Sequence, residues 1–205
     1  MELLLSVVIE QYQALPLPEF IAVLLAIGYL FLAIRQNIWC WFCAAFSAAI
    51  YIFLFLQAKL YMESLLNIFY FIMALYGWAT WYFGKIGNVE LPVVTWERFI
   101  HAIALLAIAI ISFSSGYLLD RFTDAAFPYI DSMTTWSALW ATFLVARKVL
   151  ENWWYWLVID AVSVFVYWER DLQLTALLFV IYVAIIPIGL LSWTRSYRAN
   201  NQIVS

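Results

Sequence analysis

Charge is what this chain has least of. Only 11% of its 205 residues are Asp, Glu, Lys or Arg, against about 25% in a soluble domain. The formal net charge of −3 offers no basic surface for the phosphates of a nucleic acid, so no nucleic-acid partner is expected. There are two cysteines and one histidine. Cys40 and Cys43 lie three apart on one apolar stretch, with no second cysteine pair and no histidine nearby. They read as helix surface, not as a metal site or a disulfide framework. No metal and no cofactor is expected. What is present instead is apolar surface: 67% hydrophobic and 20% aromatic residues, with a mean hydropathy of +0.92. A water-soluble fold of this size cannot bury that much. The bilayer is the solvent, which excludes a secreted scaffold and a Rossmann-type enzyme.

A membrane-crossing helix needs roughly 20 mostly apolar residues. Seven such runs are predicted, at residues 17–34, 38–56, 65–83, 99–119, 133–149, 153–168 and 172–193. Residues 1–16 form an amphipathic segment expected to lie at the interface before Pro16 and Pro18. With Glu2 and Glu10 and no basic residue, that segment does not read as a signal peptide. No loop is long enough for a soluble domain, so the function must sit among the helices. Arg35, Lys85, Arg98, Arg147, Lys148, Arg195 and Arg198 fall on one side, and Lys59, Arg121 and Arg170 on the other. The positive-inside bias puts the N-terminus outside and the C-terminus in the cytoplasm.

The chain repeats itself. Arg35, Tyr70, Gly77 and Trp81 match Arg147, Tyr182, Gly189 and Trp193 at one constant offset. The run Asn37-Ile38-Trp39-Cys40-Trp41 also resembles Asn152-Trp153-Trp154-Tyr155-Trp156, with a small change of register. Residues 17–83 and 133–194 therefore read as two three-helix bundles. The linker 84–132 supplies one helix that restores parallel orientation, and a cytoplasmic tail follows at 195–205. Parallel repeats about an axis normal to the membrane are one plan of transporters.

Polar residues inside spans need a reason. Asp160 sits midway along the sixth run and shares a face with Trp153, Trp156, Ser163 and Tyr167. In the third run Glu63, Asn67, Tyr70, Ala74, Trp78 and Trp81 recur every three or four residues. The matching face of the seventh run keeps Tyr182 and Trp193, with Phe179 where Asn67 would repeat. Trp81 and Trp193 also suit an interfacial aromatic belt, Asn67 could serve as helix–helix glue, and Gln57 and Gln173 could cap helix ends. A site between the halves would offer aromatic faces, one carboxylate and a few amides. It suits a flat, polyhydroxylated ligand that is neutral or cationic, and it serves a phosphorylated one poorly.

The run Glu63-Ser64-Leu65-Leu66-Asn67-Ile68-Phe69-Tyr70, continued by Tyr76-Gly77-Trp78-Ala79-Thr80-Trp81, resembles the motifs of the PnuC nicotinamide riboside transporters. Arg147-Lys148-Val149-Leu150-Glu151-Asn152-Trp153 and Leu172-Gln173-Leu174-Thr175-Ala176-Leu177 add to the likeness. The resemblance implies a bacterial inner-membrane importer of nicotinamide riboside, with a fold similar to the SWEET sugar transporters and a homotrimeric assembly. It also implies facilitated diffusion, drawn inward by a cytoplasmic riboside kinase. By the same resemblance Asn67 and Tyr70 (Asn-x-x-Tyr) and Trp78 and Trp81 (Trp-x-x-Trp) bind substrate. Glu63, Trp156, Asp160, Tyr182, Gln57 and Gln173 complete the candidate site.

Other readings are weaker on the residues. A SWEET-type sugar or other nucleoside-like solute transporter shares the architecture, but only Pro187 lies inside a span where several prolines are expected. An intramembrane enzyme needs a nucleophile or metal set, and His101 has no partners for one. A light receptor needs a lysine in its last helix, and there is none. Proton coupling through Asp160 stays open.

Overall fold

The computed structural model describes residues 17–57, 61–85, 90–124, 126–170 and 173–204. The interfacial segment expected at 1–16 lies outside the described residues. Seven helices follow one another: α1 (Leu17–Ile34), α2 (Cys40–Gln57), α3 (Tyr61–Phe83), α4 (Arg98–Phe122), α5 (Pro128–Ala146), α6 (Asn152–Glu169) and α7 (Gln173–Val204). Each occupies one of the predicted apolar runs. Pro128 opens α5 in the first turn, where a missing N–H costs nothing. The residues after 194 continue α7 as helix, and Gln36 Nε2 donates to Ser196 Oγ at 2.8 Å.

Five helical segments are long and apolar enough to cross a bilayer: Leu17–Ile34, Cys40–Gln57, Ser64–Phe83, Arg98–Phe122 and Thr175–Gln202. The other two helices, α5 and α6, carry the polar content, and much of it is buried in protein: Ser132, Thr142, Asn152, Asp160 and Ser163. A helix covered by neighbours need not be apolar all round.

The packing explains that cover. α1 packs on α2, α2 on α3, α3 on α5, α5 on α6, α6 on α7, and α7 back on α1. These six helices close a ring, while α4 packs outside it on α5, with His101 reaching the Tyr155 hydroxyl of α6 at 3.0 Å. Gly116 of α4 lets Tyr129 approach so closely that a Cβ there would overlap it. Trp136 Nε1 donates to Ser115 Oγ across the same contact. Small residues and interhelical hydrogen bonds are what hold helices together where lipid removes the hydrophobic drive.

The repeat is visible in the backbone. α1 ends with Gln36 at φ 54° and α5 with Lys148 at φ 50°. At each end the residue at positive φ donates to the carbonyl three back (Ala33, Val145), and the next residue donates to the carbonyl five back (Leu32, Leu144). Both are Schellman caps, normally built on glycine. The indoles repeat as well. Trp41 and Trp81 meet edge to face at 5.4 Å and 86°, and Trp153 and Trp193 do so at 5.6 Å and 86°. Trp81 Nε1 crosses to the Ala146 carbonyl (3.1 Å), and Trp193 Nε1 to the Ala33 carbonyl (3.0 Å).

This packing corrects one sequence match. Trp41 lies on Gly77 and Trp153 on Gly189, so Trp41 corresponds to Trp153, not to Trp156. The offset is the one that relates Arg35 to Arg147, and no register change is needed. Short aromatic motifs align in several registers, whereas the indole-on-glycine contact admits one.

Candidate functional site

The centre of the ring is a cavity of about 460 Å³. Trp41 and Trp153, seated on their glycines, lie at one end, where α2 and α6 begin. Toward the other end stand two stacked aromatic pairs: Tyr51 with Phe55 at 5.4 Å, and Tyr167 with Phe179 at 5.2 Å. Ala26, Ala33, Ala44 and Ala48 keep the space between them open.

Five of the predicted site residues meet on this wall: Asn67 and Tyr70 from α3, Trp156 and Asp160 from α6, and Tyr182 from α7. Asp160 is 5% exposed, so its carboxylate sits deep in the ring. Among the described residues it has no salt bridge. The Tyr70 and Tyr182 hydroxyls stand within the field of that carboxylate. Among the described residues no Lys or Arg lines the cavity. A carboxylate at such depth is costly unless something answers its charge.

The remaining predicted residues are placed elsewhere. Trp81 is 3% exposed and locked to Ala146, below the cavity. Trp78 sits at the edge of the α3 arc, at the level where Gly77 meets Trp41, and its ring stacks on Tyr82 at 5.2 Å. Gln57 is exposed at the end of α2, and Gln173 starts α7; neither lines the cavity. Glu63 lies on α3, with its side chain outside the described ones.

Sequence reasoning missed Tyr29, Trp41, Asn152, Trp153 and Phe179 on the wall. Gly77 and Gly189 were the available signal, since a repeated glycine inside a span marks a close approach, here of an indole. Asn152 has 0% exposure; its Nδ2 donates to the Val149 carbonyl at 2.6 Å and its Oδ1 has no partner among the described residues. The indole N–H groups of Trp41 and Trp153 are likewise buried without one.

A sequence model of a family described as nicotinamide mononucleotide transporter matches residues 17–195. The chain belongs to that family. It is a multi-pass membrane protein of the PnuC kind to which the motifs in α3 and α6 pointed. The nicotinamide riboside transporter PnuC of Escherichia coli (strain K12) is 25% identical over an alignment covering 87% of this chain and 84% of that protein. The riboflavin/roseoflavin transporter RibM of Streptomyces davaonensis is 23% identical, covering 91% of this chain and 88% of its own length. A solved structure, described as the crystal structure of the vitamin B3 transporter PnuC, superposes with a TM-score of 0.71 at 18% identity. It covers 96% of this chain and 89% of its own, which shows a shared fold.

Proposed function

We infer that the chain carries nicotinamide riboside across a bacterial inner membrane by facilitated diffusion, with N-terminus outside and C-terminus in the cytoplasm. In this reading all seven helices span. α1–α3 and α5–α7 act as two parallel bundles joined by α4 in a SWEET-like arrangement, and three copies assemble. A cytoplasmic riboside kinase traps the product and feeds NAD synthesis. Asn67, Tyr70, Trp156, Asp160 and Tyr182 bind the solute, together with the indoles of Trp41 and Trp153.

One observation carries the substrate reading: among the described residues, a deep carboxylate without a counter-ion, in an aromatic cavity without a cationic side chain. A flat pyridinium cation answers both. It neutralises Asp160 and gains about 0.5–2 kcal/mol over each aromatic face it covers, while Asn67 and the tyrosines line the wall that the ribose and carboxamide face. The same charges argue against the mononucleotide. Its phosphate would meet Asp160 with repulsion of several kcal/mol at a few ångströms and an effective dielectric near 20. The likeness to RibM favours riboflavin as a second reading, since a larger flat vitamin also suits an aromatic cavity.

Competition calorimetry on the purified protein separates these. Nicotinamide riboside should bind, nicotinamide mononucleotide at similar concentration should leave that binding unchanged, and riboflavin should displace it weakly or not at all. Equal displacement by the mononucleotide would contradict the charge argument, and tighter binding of riboflavin would replace the substrate.

A further inference from the structure

A second pocket, of about 310 Å³, lies beyond the tryptophans at the end of the ring where α1 and α3 finish. Its wall includes Arg35, Lys85 and Lys148, with Glu90 as the one carboxylate and Gln36 and Trp81 between them. Lys148 is the informative group. It lies in the turn between α5 and α6 and is 2% exposed. Its ammonium sits 4.5 Å from the centre of the Trp81 ring and donates to Gln36 Oε1 at 3.3 Å. The Gln36 amide is held in turn, because its Nε2 donates to Ser196.

Among the described residues no carboxylate stands within ion-pair distance of Lys148, Arg35 or Lys85. Glu90 is exposed and acts on Lys148 only at longer range. Burial pushes the Lys148 ammonium down to about 8, against the field of Glu90, which holds it up. A buried ammonium with one hydrogen bond and no counter-ion is costly to keep charged, and an ammonium has three protons to give. Gln36 takes one and the Trp81 face offers a second contact. The third donor, with the Arg35 fork and Lys85 at the rim, is available to an anion with several oxygens.

We propose that this pocket is a binding site for a phosphate group, with Lys148 at its base and Arg35 and Lys85 at its rim. It is separate from the central cavity, and it does not depend on which solute crosses the membrane. Lys148 leans on Trp81, and Trp81 is tied to Trp41 and Trp193. An anion drawing on Lys148 therefore acts on the packed indoles that close this end of the cavity. The phosphate has two sources, a soluble phosphomonoester or a lipid headgroup.

The test is calorimetry of the purified full chain with inorganic phosphate as titrant, first in an uncharged detergent. Saturable binding is expected, weakened about tenfold or more by Lys148→Met and several-fold by Arg35→Gln, because hydrogen bonds to charged groups are the strong ones. Asn67→Leu should leave it unchanged. If Lys148→Met does not fold, the double variant Arg35→Gln with Lys85→Gln takes its place. Repeating the titration in phosphatidylcholine nanodiscs, with and without phosphatidylglycerol, distinguishes the sources. Displacement of phosphate by phosphatidylglycerol supports the site with a lipid occupant, and undiminished binding supports it with a soluble one. Absence of saturable binding in both settings, or equal affinity in the wild type and the folded variants, would overturn it.

Discussion

Replacing Asn67 with leucine should weaken nicotinamide riboside binding tenfold to hundredfold while leaving the melting temperature close to that of the wild type. Asn67 stands on the cavity wall one turn from Tyr70, in the cavity that Asp160 of α6 also lines. Leucine has similar volume and suits a bilayer helix, but it removes a donor and an acceptor. The bound ligand then keeps an unsatisfied polar group, at about 1–3 kcal/mol, which is the stated range of affinity. If Asn67 only joins helices, the order reverses: stability falls and affinity in the surviving protein is unchanged. Calorimetry and a thermal melt on one preparation distinguish the two.

The glycines under the indoles should be less forgiving still. A Cβ on Gly189 would overlap the Trp153 ring, and one on Gly77 the Trp41 ring. Each indole is held on its other side, because Trp153 is 3% exposed and Trp41 2%, and each meets a further tryptophan edge to face. Overpacking of this kind costs about 1–3 kcal/mol for a small addition. Gly77→Ala and Gly189→Ala should each lower the melting temperature of the detergent-solubilised protein, by similar amounts because the two sites repeat. Gly77→Val and Gly189→Val should abolish the monodisperse peak in size-exclusion chromatography. Gly28 is the control. A Cβ there meets only Cys43 Sγ at 3.6 Å, an ordinary contact. Alanine is worth up to about 1 kcal/mol over glycine in a helix, so Gly28→Ala should be neutral or stabilising. Similar losses at all three positions would show that the indole contacts are not what fixes the register.

The helices were legible because lipid imposes one rule on every exposed face, and apolar runs between charges obey it. Asp160 was legible for the same reason, as the ionisable residue that lipid would not tolerate. The cavity wall was only half legible. Periodicity along α3 groups Asn67 with Tyr70, and both line the cavity, but neither it nor the Trp-x-x-Trp resemblance says where the cavity ends, and Trp78 and Trp81 fall outside its lining. The boundary is set by Trp41, a residue of another helix, through its contact with Gly77. Polar residues on α5 and α6 were similarly ambiguous. Whether Ser132, Thr142 and Asn152 face lipid, solute or protein depends on ring closure, which no single helix encodes.

The most direct test of the transport reading is uptake of radiolabelled nicotinamide riboside into liposomes holding the purified protein. The internal concentration should rise to the external one and stop, whether or not a pH gradient is imposed. It should exceed the external concentration only when a riboside kinase and ATP are enclosed. Accumulation above the external level under a pH gradient alone would contradict facilitated diffusion and make Asp160 a proton carrier. Uptake no faster than in protein-free liposomes would contradict the assignment of this solute.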